Sequence, residues 1–256
     1  MPTSRPKGLR DFTPSDKDIA VSAVMSPPTV DKEGGTHFTT GLGLLGNGKW
    51  GDCYWASRAR EGHTLSKIAG RNRGFTEAPT VSTYAAYLGL KSVSDLNEKT
   101  DQGTDAREGA KFSTTHGSLD ENGKPMYIGA YAFESDPEKI PALIAALGVG
   151  TLCIELTEEC EEEFDEAEKE NRQFVWDTKL GTNVAGGHAV PVTFWTPDGL
   201  GVNSWDREGI VTWEYLAKYM QTTVVYFSAA QLGPSGTAPD GLDKQKLLDL
   251  IHEVTS

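Results

Sequence analysis

Gly51-Asp52-Cys53-Tyr54-Trp55 opens the first strongly periodic segment of the chain. Apolar residues follow it at helical spacing and Gly70 supplies a stop, so the sequence predicts a helix from Cys53 to about Ala69. A cysteine at a helix N-terminus lies beside unpaired N–H groups and the positive end of the helix dipole, which favour the thiolate. Because the thiolate is the nucleophilic form, this position suits covalent catalysis. The alternative is that Cys53 is a buried small apolar residue.

Two motifs in the second half of the chain supply the partners that a reactive cysteine needs. Gly186-Gly187-His188-Ala189-Val190 places a histidine at the start of an apolar strand, and Val202-Asn203-Ser204-Trp205-Asp206 places an asparagine on the next strand. A strand, a turn and a strand (203 − 188 = 15 residues) can bring His188 and Asn203 side by side. The order Cys, His, Asn fits a thiolate–imidazolium pair whose ring is oriented by an amide oxygen. The structural alternatives are that His188 caps a strand and that Asn203 holds a turn.

The remaining patterns divide the chain into a helical front half and a strand-rich back half. Further helices are predicted at residues 80–90, about 104–115 and 135–147. Strands are predicted at 126–133, 151–156, 189–195, 199–205, 210–213 and 223–228, with a short helix at 213–220. This distribution indicates an α+β fold with any functional cleft between the two halves.

Composition predicts three regions along the chain. Residues 1–40 are rich in proline and are predicted to be extended, with a turn at Gly34 and Gly35 and a stretch, 19–24, that could pair at a sheet edge. Residues 41–230 form the predicted folded domain. Residues 231–256 are predicted to be a linker and an amphipathic helix, 241–254, that could dock on its own domain or on another chain.

The three motifs resemble those of the papain-like cysteine peptidases. The family's Gln-x5-Cys, Gly-His-Ala-Val and Asn-Ser-Trp motifs are matched here by residues 47–55, 187–190 and 203–205. The resemblance extends in outline over residues 41–228 and implies a two-lobed α+β fold. In that fold a helical N-terminal lobe carries the nucleophile helix, and the C-terminal lobe resembles an antiparallel β-barrel. The Leu-Gly-Asn-x-x-x-Gly-Asp-Cys version also resembles divergent papain-like proteins of bacteriophages and actinobacteria.

The resemblance implies hydrolysis of peptide bonds through a thioester, with no cofactor and no metal. Cys53 would be the nucleophile, His188 the base that pairs with it, and Asn203 the residue that orients the imidazole. Trp205 would shield the imidazole–amide hydrogen bond from water. The oxyanion-hole side chain of the family stands six residues before the cysteine, which is Asn47 here, and the Cys53 backbone N–H would be the second donor.

Three positions depart from the family pattern. Asn47 replaces glutamine and is one methylene shorter, Trp55 stands one place later than usual, and Asp206 replaces the glycine after Asn-Ser-Trp. A shorter oxyanion donor and a different local turn leave open whether the chain acts as a general endopeptidase.

Charge and hydropathy narrow the expected partners. The net charge of −13 argues against nucleic acid, because affinity for phosphates comes mostly from Lys and Arg. No apolar run reaches the length of a spanning helix and no apolar signal region follows the start, so the expected location is the cytoplasm, with no membrane partner. The expected partner is a peptide or protein substrate.

Residues 158–170 concentrate glutamate, and the sequence predicts a solvated helix or loop there. Because this acidic stretch precedes His188 closely, it could border the cleft and favour substrates that carry Lys or Arg. Of the other cysteines, Cys153 is expected in the core, since it lies in an apolar strand, and Cys160 is expected to be exposed within the acidic stretch.

Three alternatives remain open. Acyl transferases and peptidoglycan amidases or endopeptidases use a similar Cys–His arrangement. The chain could instead be a phage virion structural or assembly protein with an idle or single-use triad, in which helix 241–254 binds a virion component or a second copy. Residues 1–40 could also lie over the cleft as a propeptide does, which would make the chain a latent zymogen.

Overall fold

The computed structural model places an eight-stranded sheet between two groups of helices. It describes residues 5, 6, 8–13, 15, 18, 29–37, 40–228, 245, 248, 249 and 252. The stretch 19–24 lies outside the described residues, as does most of the predicted helix 241–254.

Six main helices lie within residues 40–228: α1 (Cys53–Ile68), α2 (Glu77–Tyr87), α3 (Ala106–Thr115), α4 (Ile140–Leu147), α5 (Glu158–Lys169) and α6 (Trp213–Tyr219). α3 begins where the Asp105 carboxylate accepts a hydrogen bond from the Glu108 N–H, which is the capping role expected of an aspartate there. α1 is buried along most of its length because it contacts α2 on one side and strands on the other. None of the described helices is long and apolar enough to cross a membrane.

The strands are β1 (Gly34–Gly35), β2 (Ser118–Leu119), β3 (Pro125–Met126), β4 (Ala130–Glu134), β5 (Gly150–Thr157), β6 (Phe174–Trp176), β7 (Val184–Thr196), β8 (Gly199–Ser204), β9 (Arg207–Thr212) and β10 (Met220–Phe227). The main sheet has the order β4-β10-β5-β7-β8-β9-β6, and β1 pairs with β7. Neighbouring strands of the main sheet are antiparallel except for β6 and β9, which are parallel. β2 and β3 form a separate two-stranded sheet.

Both faces of the main sheet are covered, because successive residues of a strand point to opposite sides. On β5, Cys153 packs in the same cluster as Tyr54 and Trp55 of α1. Its neighbours Leu152 and Ile154 pack in the other cluster, with α4, α5 and α6. The site residues lie where α1 meets the strands, between these two layers.

The α+β class and the two-part arrangement are confirmed, but the barrel-like C-terminal lobe needs correction. A closed barrel would require β4 to pair with β6. Among the described residues, these two strands instead form the opposite edges of an open sheet. β6 is absent from the predicted elements, since three residues carry almost no periodic signal. Gly34 and Gly35 form a short strand against β7 rather than only a turn.

Cys160 is buried, so the expectation of an exposed residue is wrong. α5 places Cys160, Phe164 and Ala167 on one face that packs into the core, while the glutamates occupy the rest of its surface. The Cys160 Sγ lies 3.3 Å from the hydroxyl oxygens of both Thr157 and Tyr215. Cys153 is buried on β5, as expected.

Candidate active site

Cys53 is the first residue of α1, and its side chain is 1% exposed. Burial raises the pKa of the Cys53 thiol to about 12, against the lowering effect of the backbone N–H groups of Ala189 and Gly8. The helix N-terminus is where the sequence predicts it, but the predicted thiolate is not the form that this environment favours. Desolvation of the charged form outweighs the donors that would stabilise it.

His188 lies on β7 opposite Ile154 of β5, and residues at the end of β8 contact its ring. Its Nε2 lies 2.9 Å from the Ser204 Oγ. The Trp205 indole stacks on the imidazole with ring centroids 4.7 Å apart and an interplanar angle of 24°. Trp205 therefore covers the imidazole, but the imidazole–amide hydrogen bond that the resemblance implies beneath it is not formed among the described residues.

The predicted site residues Asn47, Cys53, His188, Asn203 and Trp205 all line one small cavity of about 10 Å³. Cys53 and Asn47 approach it from the N-terminal end of α1, and the other three from β7 and the end of β8. The structure thus brings together residues that are up to 158 positions apart in sequence (205 − 47).

The residue that contacts the imidazole differs from the expected one. Ser204 makes the hydrogen bond to His188, and the side-chain amide of Asn203 makes no hydrogen bond with any described residue. Asn203 is buried, and its amide lines the small cavity. The sequence pattern does not single out Ser204, whose only signal is its place inside the Asn-Ser-Trp motif.

Asn47 links the loop before α1 to the tryptophan. Its backbone carbonyl accepts a 3.1 Å hydrogen bond from the Trp205 Nε1, and its side-chain Nδ2 lies 3.4 Å from the Trp50 carbonyl oxygen. The Asn47 side chain thus has a weak partner in the loop while it lines the cavity beside Cys53. An amide in this position can act as the oxyanion donor that the resemblance implies.

A buried carboxyl group, which the sequence patterns do not identify, lies next to the cysteine. Asp52 is fully buried, and burial together with the negative charge of Asp101 raises its pKa well above the usual range, while the Asn47 side chain acts in the opposite direction. Asp101 in turn accepts hydrogen bonds from the Gly51 N–H, at 2.9 Å, and from the Tyr84 hydroxyl. The Asp101 carboxylate therefore supports the turn that presents Cys53.

Asp206, which stands where the family has glycine, binds the loop at Leu42 and Gly43 that precedes α1. Its carboxylate accepts hydrogen bonds from the N–H groups of Leu42 and Gly43, both at 3.0 Å, and from the Arg60 Nη1 at 2.8 Å. Its φ of +70° lies in the left-handed region, which aspartate tolerates better than most residues. The substitution therefore adds an ion pair between α1 and the β8–β9 turn.

A segment from the N-terminal region lies in the cleft above Cys53. The Leu9 N–H donates to the Gly187 carbonyl at 3.2 Å, and the Arg10 N–H donates to the Thr104 carbonyl at 2.9 Å. The Thr104 N–H donates back to the Gly8 carbonyl at 2.5 Å. Residues 8–10 thereby bridge the helical side of the cleft, at Thr104, and the strand side, at Gly187.

Gly8 makes the closest approach to the nucleophile turn. A side-chain carbon added at Gly8 would lie 1.6 Å from the Gly51 carbonyl oxygen, so only glycine fits there. The backbone N–H of Gly8 also faces the Cys53 thiol. The segment therefore packs directly against both the Cys53 thiol and the turn that carries it.

The fold is that of the papain-like cysteine proteases. Xylellain, a cysteine protease from Xylella fastidiosa, is similar in structure with a TM-score of 0.64 and 13% sequence identity, over 89% of this chain and 99% of that chain. The Carica candamarcensis cysteine protease CMS1MS2, solved in complex with E-64, gives a TM-score of 0.54 and 9% identity, over 78% and 99% of the two chains. The proCathepsin B S9 from Trypanosoma congolense gives 0.50 and 10%, over 88% and 83%.

At these identities the similarity shows the fold alone. No protein-family model matches the sequence, and no curated protein matches it. The roles of the individual site residues therefore rest on the geometry described above.

Proposed function

We propose that the chain is a cysteine peptidase that hydrolyses peptide bonds and is latent in the state described. The observation that supports this most directly is the shared cavity at the N-terminus of α1, where Cys53, His188 and Asn47 meet. The resemblance of the sequence motifs to the papain-like cysteine peptidases implies the same three residues as nucleophile, base and oxyanion donor, and this agreement supports the proposal.

The reaction would begin when His188 takes the proton of the Cys53 thiol. The thiolate attacks the carbonyl carbon of the scissile bond, and the resulting oxyanion is stabilised by the Cys53 N–H and the Asn47 amide. The C–N bond then breaks, the leaving amine takes the proton from His188, and a thioester remains on Cys53. Water opens the thioester with His188 as base, which releases the acid and restores the thiol.

Access to Cys53 would require residues 8–10 to leave the cleft. While they remain, the thiol is desolvated and its pKa is about 12, so little thiolate forms at neutral pH. Their departure would expose the thiol to water and so reduce the desolvation that raises its pKa, at the cost of the Gly8 N–H, while the Ala189 N–H remains as a donor to the thiolate. The N-terminal segment would thus act as an internal inhibitor.

The Gly8→Ala variant tests this proposal, because the added carbon cannot fit beside Gly51. The full-length chain and the variant are treated with a peptide-like epoxide, and labelling is followed residue by residue with mass spectrometry. We expect rapid labelling of Cys53 in the variant and slow labelling in the wild type. The neighbouring exposed substitution Asp11→Ala is the matched control and should behave as the wild type does.

Further variants separate catalysis from exposure alone. In the Gly8→Ala background, His188→Ala should abolish fast labelling, whereas Cys153→Ala should leave it intact. Leu9→Asp, which places a charge in the helical core, gives a second way to release the segment. If Cys53 in both released variants reacts no faster than an unactivated thiol, the peptidase proposal fails.

A second candidate is a protein whose triad is idle, such as a phage virion structural or assembly protein. The complete burial of Cys53 favours it, because an unused cysteine has no need of access. Absence of fast labelling in the released variants is the outcome that this candidate predicts. An acyl transferase would label normally but would transfer the acyl group to an added amine rather than to water.

A further inference from the structure

Arg5 occupies a defined position at the edge of the cleft, three residues before Gly8. Its Nη1 lies 2.7 Å from the Asp165 Oδ1, and its backbone N–H donates to the Glu161 Oε1 at 3.2 Å. The guanidinium carbon lies 4.6 Å from the centroid of the Phe164 ring and 4.8 Å from that of Trp205. One carboxylate and two aromatic rings thus contact the guanidinium, while the Glu161 carboxylate holds the backbone N–H of the same residue. We call these four residues the arginine subsite: Glu161, Phe164, Asp165 and Trp205.

The arginine subsite is rigidly connected to both the core and the catalytic base. Phe164 is 1% and Trp205 5% exposed, and their rings meet edge to face with centroids 5.0 Å apart. Trp205 also stacks on His188, so the subsite and the imidazole share this ring. A planar, delocalised guanidinium suits an aromatic face and a carboxylate at the same time, which a compact ammonium ion does less well.

The position of Trp205 indicates which part of a substrate would reach this subsite. His188 gives its proton to the leaving amine, and Trp205 covers the same imidazole. A side chain that lies on Trp205 therefore belongs to the leaving side of the scissile bond. Asp165 is still 27% exposed with Arg5 in place, so departure of the N-terminal segment leaves an accessible carboxylate beside two uncovered rings.

We propose that the arginine subsite binds an arginine side chain of the substrate, on the leaving side of the scissile bond, and that Arg5 occupies it in the latent state. This inference rests on the proposed peptidase function. The sequence predicts that the acidic stretch favours basic substrates. The arginine subsite assigns this preference to one face of α5, because Glu161 and Asp165 lie one turn apart on that helix.

The test compares two peptides that differ in a single residue on the leaving side, arginine in one and citrulline in the other. Citrulline keeps the shape of arginine but carries no charge. With the full-length Gly8→Ala chain, we expect kcat/KM for the arginine peptide to exceed that for the citrulline peptide by about tenfold. Asp165→Asn should reduce this ratio to below about threefold, whereas Glu166→Gln, an exposed substitution on another face of α5, should preserve it.

A binding measurement separates this proposal from the proposed catalysis. The affinities of both peptides are measured for a full-length Gly8→Ala chain that also carries Cys53→Ala. Suppose that the Cys53→Ala chain binds the arginine peptide selectively, but the Gly8→Ala chain that retains Cys53 does not hydrolyse it. This result would support the subsite and refute the peptidase. Hydrolysis of both peptides at equal rates would support the peptidase and overturn the subsite.

Equal binding of the two peptides, or no binding of either, would also overturn the subsite. Because Gly8→Ala could impair folding, Arg5→Ala combined with Leu9→Asp provides a second way to vacate the subsite and release residues 8–10. This double variant should show the same preference for the arginine peptide, and equal affinities there would count against the proposal as well.

Discussion

The Ser204 hydroxyl lies 2.9 Å from the Nε2 of His188, so the end of β8 holds one nitrogen of the imidazole on β7. Trp205, the next residue, stacks on the face of the same ring. The hydrogen bond holds the imidazole of His188 in its plane, and the stacked indole holds one of its faces. Together they fix the direction of the other ring nitrogen, Nδ1. This relationship decides which substitution should weaken the catalytic base most.

Ser204→Ala should slow Cys53 alkylation in the Gly8→Ala chain about fivefold, because one hydrogen bond worth roughly 1 kcal/mol is lost from the imidazole. The pH profile of alkylation should shift as well, since the bond orients the group that takes the proton. Asn203→Ala is the comparison and should have a smaller effect. A large loss with Asn203→Ala and none with Ser204→Ala would assign the orienting role to the amide.

Alkylation of Cys53 in the wild-type chain should rise about tenfold per pH unit between pH 7 and pH 10 without reaching a plateau. The reason is that burial raises the thiol pKa to about 12, so the thiolate fraction keeps growing throughout this range. In the Gly8→Ala chain the plateau should appear at lower pH, because the thiol is solvated. A plateau below pH 9 in the wild type would show that Cys53 is not desolvated by the segment.

Asp52→Asn should make the free energy of unfolding less dependent on pH. The pKa of Asp52 is raised in the folded chain, so its stabilising contribution is present below pH 4 and is lost as pH rises toward the folded pKa. Above pH 4 the wild type should therefore lose about 1.4 kcal/mol more per pH unit than the variant. Denaturant titrations at several pH values measure this, with the exposed Asp11→Asn as control.

Glu61→Ala should destabilise the chain by about 3–5 kcal/mol, because it leaves the Arg58 guanidinium buried without its ion-pair partner. Both side chains are at most 1% exposed, and Glu61 also accepts a hydrogen bond from Thr151. The double variant Arg58→Met/Glu61→Leu should recover most of that loss. Glu170→Ala, which removes an exposed partner of Arg172, should destabilise the chain far less, because water and salt screen exposed ion pairs. Equal losses in the two single variants would contradict the role of burial.

Local signals account for the parts of the fold that the sequence predicts well. Asp105 before α3 and the periodic residues after Cys53 act within one or two helical turns, and the structure contains both helices. The orienting contact at His188 is harder to predict, because it depends on the register of β7 and β8, which shifts at a bulge between Val192 and Phe194. Counting residues between motifs cannot reveal that shift.

Contacts between distant segments leave no trace in local patterns. The bonds of Leu9 to Gly187 and of Arg10 to Thr104 join residues that share no periodicity, so the covered cleft is visible only in three dimensions. Cys160 is a related case: the glutamates around it dominate the composition and conceal a narrow apolar face, which becomes evident once α5 packs on the core.

Residues 8–10 belong to the same chain as the cleft that they cover, so their occupancy does not depend on protein concentration. A flexible tether commonly holds such a segment at an effective concentration in the millimolar range, and a free peptide must compete against it. A single cut on the C-terminal side of Phe12 would change the molecularity of this contact. The released piece would become an ordinary dissociable ligand, and simple dilution would then be enough to uncover Cys53.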